Sequence, residues 1–246
     1  MDTLKKKKYV PKKSGFWKGN YVTYRRLWVD SCLNAFIDEV HGLVIDLGGK
    51  RENKRGSFLP PEHQADAWLY LNLDPQASPN IFSDVVKTPL LKQSADYIIC
   101  TEVLEHLSNP QACVDEIHRI LREDGIALVS VPFFFPVHAD PYDFQRFTEG
   151  GLWHMFRNFR SVEIHRMGGY TGVIGLGLEL GISGVNGNSA TAKFLRWSMK
   201  WISRWLCWYD LSIFGRETPD WERFTTGDFV RDRKSTRLNS SHLVIS

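Results

Sequence analysis

Cysteine is scarce in this 246-residue sequence, with four in all. Cys32, Cys100, Cys113 and Cys207 are widely spaced and form no Cys-x-x-Cys. That excludes a disulfide-stapled miniprotein and points to free thiols in a reducing, cytoplasmic compartment. Long apolar runs are missing too. The longest, Val173 to Val185, is broken by Glu179 and several glycines, too short to span a bilayer as a helix. No secretory leader is expected, because Lys5 to Lys8 run into Tyr9-Val10-Pro11-Lys12-Lys13 rather than an apolar core. The net charge of +3 gives no argument for a nucleic-acid partner. What is present, 43% hydrophobic and 24% charged residues, is the composition of a globular chain with one substantial domain.

Residues 1–13 hold six lysines and one aspartate, so residues 1–20 read as a basic, solvated arm. From there the pattern is strand and helix in alternation. The spacing of Leu27, Leu33, Phe36, Ile37 and Val40 predicts a helix over 22–40 ended by Gly42. Short apolar strands are expected at 43–47, 68–73, 81–84, 97–100, 126–131 and 162–165. Asn109 and Pro110 start a helix whose stripe is Cys113, Ile117, Ile120 and Leu121, with Gly125 as its end. Thr148 caps a shorter helix through Phe156. This order predicts a doubly wound, mostly parallel α/β sheet, whose ligands sit beyond the carboxyl ends of the strands.

Those strand ends are acidic. Asp46, Asp74 and Asp84 close the first three, and Glu102 lies just past the fourth. A dinucleotide fold leaves its first strand through Gly-x-Gly-x-x-Gly. Here the exit is Asp46-Leu47-Gly48-Gly49-Lys50, and a carboxylate at that turn repels a diphosphate. It suits an ammonium group, while the glycines allow close backbone approach. Asp74 suits both hydroxyls of a ribose. A ligand with an amino group and a ribose but no phosphate is S-adenosylmethionine. A nicotinamide-dependent nucleotide-sugar oxidoreductase is disfavoured on the same ground.

Residues 40–166 resemble the class I S-adenosylmethionine-dependent methyltransferases of the type 11 kind. Val44 to Gly49 is similar to that family's first motif, and Asp74 to its ribose ligand. Ser83-Asp84-Val85-Val86 is similar to the adenine segment. Ala95 to Leu107, with Glu102-Val103-Leu104-Glu105-His106 inside it, is similar to the fourth motif. The resemblance implies a seven-stranded Rossmann-like methyltransferase fold with cofactor ligands Asp46, Gly48, Gly49, Asp74, Asp84, Val85, Thr101 and Glu102. The sequence departs from the family at Lys50, where a third glycine is usual, and at Arg122-Glu123-Asp124-Gly125, where Lys-Pro-Gly-Gly is usual. A cofactor-binding but inactive subunit or scaffold is the alternative this irregular first motif leaves open.

The segment Pro136 to Thr148 follows the fifth strand and so overhangs the reactive methyl. A similar His-x-x-Pro-x-Asp-Phe-x-Arg stretch occurs in relatives that accompany surface-polysaccharide genes, which implies a small-molecule, sugar or lipid-linked acceptor. Its candidates for a base are His138, Tyr142 and Asp143, with an Asp143–Arg146 ion pair as the structural alternative. His138 and Asp140 lack a third ligand at matching spacing, so no metal is expected.

Residues 167–224 form an insertion. Its part 168–187 holds eight glycines and reads as a flexible lid or a close-packed turn region. In the next part, Trp197, Trp201, Trp205 and Trp208 share one helical face, and Lys193, Arg196, Lys200 and Arg204 an adjoining one. Either a lid with tryptophans inward or a helix lying in a membrane interface has these features. Residues 225–231 read as a strand cut off partway. Asp232 to His242 resembles, over eleven residues, a translated sequencing-library adapter, so 232–246 are expected to stand outside the fold.

Overall fold

The computed structural model describes residues 23–37, 40–52, 56–138, 142–213 and 224–234. The basic arm, Asp140 and the adapter-like residues beyond 234 lie outside them. Helix α1 (Tyr24–Phe36) starts at Thr23, whose Oγ1 accepts from the Arg26 amide at 3.3 Å. Its buried face is Tyr24, Trp28, Val29, Cys32 and Leu33, rotated from the expected stripe because two aromatics outweigh Leu27 and Phe36. Gly42 does not cap this helix. It opens strand β1 (Leu43–Leu47) at φ +66°, where the Asp96 carboxylate leaves no room for a Cβ.

Strands β2 (Ala67–Asn72), β3 (Ile81–Phe82) and β4 (Ala95–Thr101) follow, then helix α2 (Pro110–Ile120), strand β5 (Leu121–Pro132), helix α3 (Glu149–Met155) and strand β6 (Ser161–Met167). Helices α4 (Tyr170–Gly181) and α5 (Ala190–Ile213) precede β7 (Gly227–Arg233). The sheet order is β3-β2-β1-β4-β5-β7-β6. All pairings are parallel except those of β7, which runs antiparallel to both neighbours. The order reverses between β1 and β4, and that crevice is where a ligand belongs.

Alternate residues of the central strands feed two cores. Ile45, Ile98, Ala127, Val129 and Val230 pack with α2, while Val44, Tyr97, Ile99, Leu128 and Phe229 pack with α1 and with Cys207 and Leu211 of α5. All four cysteines are free and buried.

Three expectations are corrected. Helix α2 stops at Ile120, not Gly125. Leu121 pairs with Ala95 and Ile126 with Tyr97, so residues 122–125 bulge from one strand, with Asp124 at φ +64°. The glycine-rich stretch is neither lid nor turn region but helix α4. Its glycines face neighbours: a Cβ on Gly172 would lie 2.6 Å from the Tyr24 ring, and one on Gly175 2.6 Å from Cys207 Sγ. The last strand is not cut off at residue 231. It continues through Asp232 and Arg233, each paired with β5 and β6.

Candidate active site

The exits of β1, β2, β3 and β4 converge at the crevice. After β1 the chain turns at Gly48, φ +75°, where a Cβ would strike Val103. The Asp46 carboxylate folds over Gly49, whose own Cβ would lie 2.3 Å from it. Asn72, ending β2, donates from Nδ2 to the carbonyls of Gly48 and Gly49 at 2.9 and 3.0 Å. This clasp steadies the turn, and among the described residues no α-helix lies between β1 and β2. Lys50, at the missing-glycine position, is exposed.

Asp74 and Asp84 each cap a turn. Asp74 Oδ1 accepts from the Gln76 amide at 2.9 Å and Asp84 Oδ1 from the Val86 amide at 3.0 Å. In both, Oδ2 is left for another donor. Val85 is buried against the core beside Asp84, and Thr101 is the half-buried last residue of β4. Glu102 follows at φ +58°, a left-handed backbone unusual for glutamate. Ser130 holds it there, its carbonyl taking the Glu102 amide at 3.0 Å and its hydroxyl donating to Oε1 at 2.7 Å.

Arg25 joins this cluster without any signal in the sequence. It reaches from α1 to an ion pair with Glu102 and lies over the Phe135 ring, 4.9 Å from its centroid. Burial lowers the guanidinium to about 9, and Glu105 pulls the other way. Glu105 is fully buried, with neither carboxylate oxygen hydrogen-bonded. Burial raises its pKa, with Arg25 and the two nearby histidines opposing. No periodicity or motif announces Arg25, since its partners lie far along the chain. Glu105 and His106 were visible only as part of a motif.

The segment after β5 folds back onto this cluster. The Phe144 amide donates to the Glu105 carbonyl at 2.8 Å, and Gln145 Nε2 to the Leu107 carbonyl at 2.9 Å. Arg146 clamps Asp143 through both guanidinium nitrogens, one contact at 2.7 Å. It also donates to the Phe135 and Pro136 carbonyls. That clamp holds the Asp143 carboxyl well below its ordinary range. Asp143 in turn accepts from the His138 amide at 3.0 Å and faces His138 Nδ1 at 3.2 Å. Since the neighbours of that Nδ1 are a carboxylate and the Pro136 carbonyl, it carries the ring hydrogen and Nε2 keeps its lone pair. The His106 ring stands edge-on to His138 with centroids 4.8 Å apart, its Nδ1 donating to the Tyr142 carbonyl at 2.6 Å. Tyr142 itself is 65% exposed and turns its ring toward Phe144.

Glu105, His106 and His138 each bring one ligand atom within 4.8 Å of the others, a grouping that linear spacing around His138 did not reveal. Arg25, beside Glu105, already supplies a compensating cation, so we assign no metal to it. The tryptophans of α5 do not pack inward over this site. Trp197, Trp201 and Trp205 are each more than half exposed. No described helix is long and apolar enough to cross a membrane.

Residues 69–129, from β2 through β5, match a family model described as a methyltransferase domain. A search of curated proteins gives no match. Among solved structures, an S-adenosylmethionine-dependent methyltransferase from Archaeoglobus fulgidus is 14% identical with a TM-score of 0.51, over 85% of this chain and 94% of that one. Phosphoethanolamine N-methyltransferase 2 of Haemonchus contortus is 12% identical with a TM-score of 0.46, over 80% of this chain and 49% of that one, so the chain spans about half its length. The 1,6-didemethyltoxoflavin-N1-methyltransferase of Burkholderia thailandensis is 15% identical with a TM-score of 0.49, over 84% and 76%. Residues 69–129 thus match a methyltransferase domain by sequence, and the chain shares its fold with the Archaeoglobus protein.

Proposed function

We propose that the chain binds S-adenosylmethionine across the exits of β1 to β4 and methylates a hydroxyl on a small molecule or a sugar, a lipid-linked sugar included. The observation that carries the hydroxyl reading is the chain Arg146–Asp143–His138. When bound, S-adenosylmethionine supplies a methyl group already activated on a sulfonium, so amine acceptors need little besides alignment. A hydroxyl needs a base. His138 answers that need: Nε2 would accept the hydroxyl proton. Asp143 is too firmly ion-paired to act as the base itself. It is a positioning residue that fixes the imidazole tautomer. Tyr142 stands at the mouth, where it contacts the acceptor.

The cofactor residues fit the group electrostatically. Asp46, Glu102 and Glu105 outnumber Arg25, and a net negative pocket favours a sulfonium and an ammonium. Asp74 Oδ2 would accept from ribose hydroxyls, Asp84 and Val85 would hold the adenine, and Thr101 and Glu102 would complete the cofactor's site. Gly48 and Gly49 let the backbone approach the methionine end.

Calorimetric titration with S-adenosylhomocysteine tests the first half. Asp74→Ala should weaken binding about tenfold or more, or about 1.4 kcal/mol. Transfer of labelled methyl to a panel of sugars and small alcohols tests the second. His138→Gln should lower kcat by about a hundredfold or more while S-adenosylhomocysteine affinity stays unchanged. No binding by the folded parent refutes the cofactor site. Binding without turnover on any acceptor favours the inactive-scaffold alternative.

A further inference from the structure

Helix α5 presents an outer face that the methyl-transfer chemistry does not use. Its 24 residues extend about 36 Å. Ser203, Cys207, Asp210 and Leu211 turn inward against α4 and the sheet. The opposite side carries Phe194, Trp197, Trp201, Trp205, Trp208 and Tyr209, all more than a third exposed. Phe194 stacks on Trp197, Trp197 meets Trp201 edge-on, and Trp205 stacks on Tyr209, so the face carries two aromatic groups in line along the helix.

Two features say what this strip meets. The first is its chemistry. Tryptophan and tyrosine combine an apolar body with a polar edge and concentrate at the boundary between lipid headgroups and acyl chains. The second is charge. The only acidic residue of α5, Asp210, is buried, held by Tyr24, Thr171 and the Gly169 amide. Lys193 and Lys200, both exposed, run along one flank of the strip, placed to reach phosphates beside a helix that lies flat. Arg196 is instead turned to the Val185 and Gly187 carbonyls. A second protein copy would have to cover this cationic flank with acids, and α5 offers none on that side. The six lysines of residues 1–13 add charge of the same sign.

We propose that the aromatic face of α5 docks the protein on the surface of an anionic phospholipid bilayer. The helix lies in the plane of the interface with its tryptophans at headgroup depth, and the cationic flank selects anionic lipid. Helix α4 links the face to the chain just before the acceptor segment, since a Cβ on its Gly177 would lie 3.6 Å from the Phe134 ring. Docking therefore brings the mouth of the site near the membrane, where a lipid-linked acceptor resides. The docking itself does not depend on that acceptor.

The test is flotation of the full chain with phosphatidylcholine vesicles and with vesicles of equal parts phosphatidylcholine and phosphatidylserine. The parent should float with the anionic vesicles, its tryptophan emission shifting to the blue, and should leave them as salt rises. The triple variant Trp197→Ser, Trp201→Ser, Trp205→Ser should partition about tenfold less or worse. These side chains are exposed, so the variant should keep the parent's far-ultraviolet circular dichroism. Lys193→Glu with Lys200→Glu should lose the preference for phosphatidylserine. The proposal is overturned if the parent fails to float. It is equally overturned if the tryptophan variant binds as well as the parent while glutamines at Lys5 to Lys8 abolish binding. A parent that is a dimer in sedimentation equilibrium, made monomeric by the tryptophan substitutions, would assign the face to a second copy instead.

Discussion

Asp232 should make the protein lose stability toward alkaline pH. Its side chain is 1% exposed within β7, a strand flanked on both sides. Oδ1 accepts from the Arg233 amide at 2.6 Å, and Oδ2 is buried without a partner. Burial pushes the carboxyl up to about 9 from an ordinary 3.8, Glu163 adds to the rise, and amide hydrogen bonds only partly oppose it. Between those values the folded chain holds a proton that the unfolded chain has released. Stability therefore falls as pH rises through this window, by up to about 1.4 kcal/mol per unit. It is level below the unfolded value and again above the folded one.

Asp232→Asn keeps the shape and removes the titration. Urea unfolding of parent and variant at about pH 6 and about pH 8.5 should open a gap of about 2–3 kcal/mol in favour of the variant at the higher pH. Glu105 is also shifted upward by burial, so both proteins slope. The difference between them isolates Asp232. Equal slopes would refute the reasoning, since they would mean that water or a backbone shift already satisfies the carboxylate. Position 232 faces Ala127 and Val162, so Asp232→Val should stabilise across the whole range.

Two other sites give sharp expectations. Gly175→Val places new atoms against the Ser203 carbonyl, which a Cβ alone would approach to 2.9 Å, so thermal unfolding should drop by an amount equivalent to about 1–3 kcal/mol. Burial alone would raise Glu116, but hydrogen bonds from Arg119 and from the Thr88 amide and hydroxyl, both at 2.7 Å, overcome it and lower it to about 2. Its folded value is depressed, so its contribution is present above the ordinary 4.5 and lost as pH falls toward 2. Glu116→Gln should flatten that acid limb in a urea titration.

The strand ends that would hold the cofactor were legible because each is an apolar run closed by an acid. Two signals that coincide locally need no tertiary information. The helix α4 was not legible. Eight glycines between 168 and 187 read as loop by propensity, yet Gly172 and Gly175 are there to let α1 and α5 approach. Residues 121–125 read as the end of α2 because Leu121 fits a helical stripe. Its pairing with Ala95 on β4 decided otherwise. Arg25 and its acids illustrate the same limit, since a buried ion pair leaves no periodic trace in the chain that makes it.

Adjacent residues of α1 hold two halves of the molecule. Tyr24 donates to Asp210 of α5 at 2.6 Å, with both side chains fully buried. Arg25, one residue on, reaches Glu102 and compensates Glu105. The two should differ in kind when removed. Tyr24→Phe leaves Asp210 its bonds from Gly169 and Thr171, so the cost is one charge-assisted hydrogen bond, about 1.5–3 kcal/mol. Arg25→Met removes a compensating cation from Glu105, whose buried carboxylate oxygens lack hydrogen-bond partners, and should cost about 3–5 kcal/mol. The double variant Arg25→Met, Glu105→Gln should then recover much of that loss, because the stranded charge, not the lost contact, dominates. If the second substitution adds to the first instead of offsetting it, Arg25 acts through its packing on Phe135 and the charge argument fails.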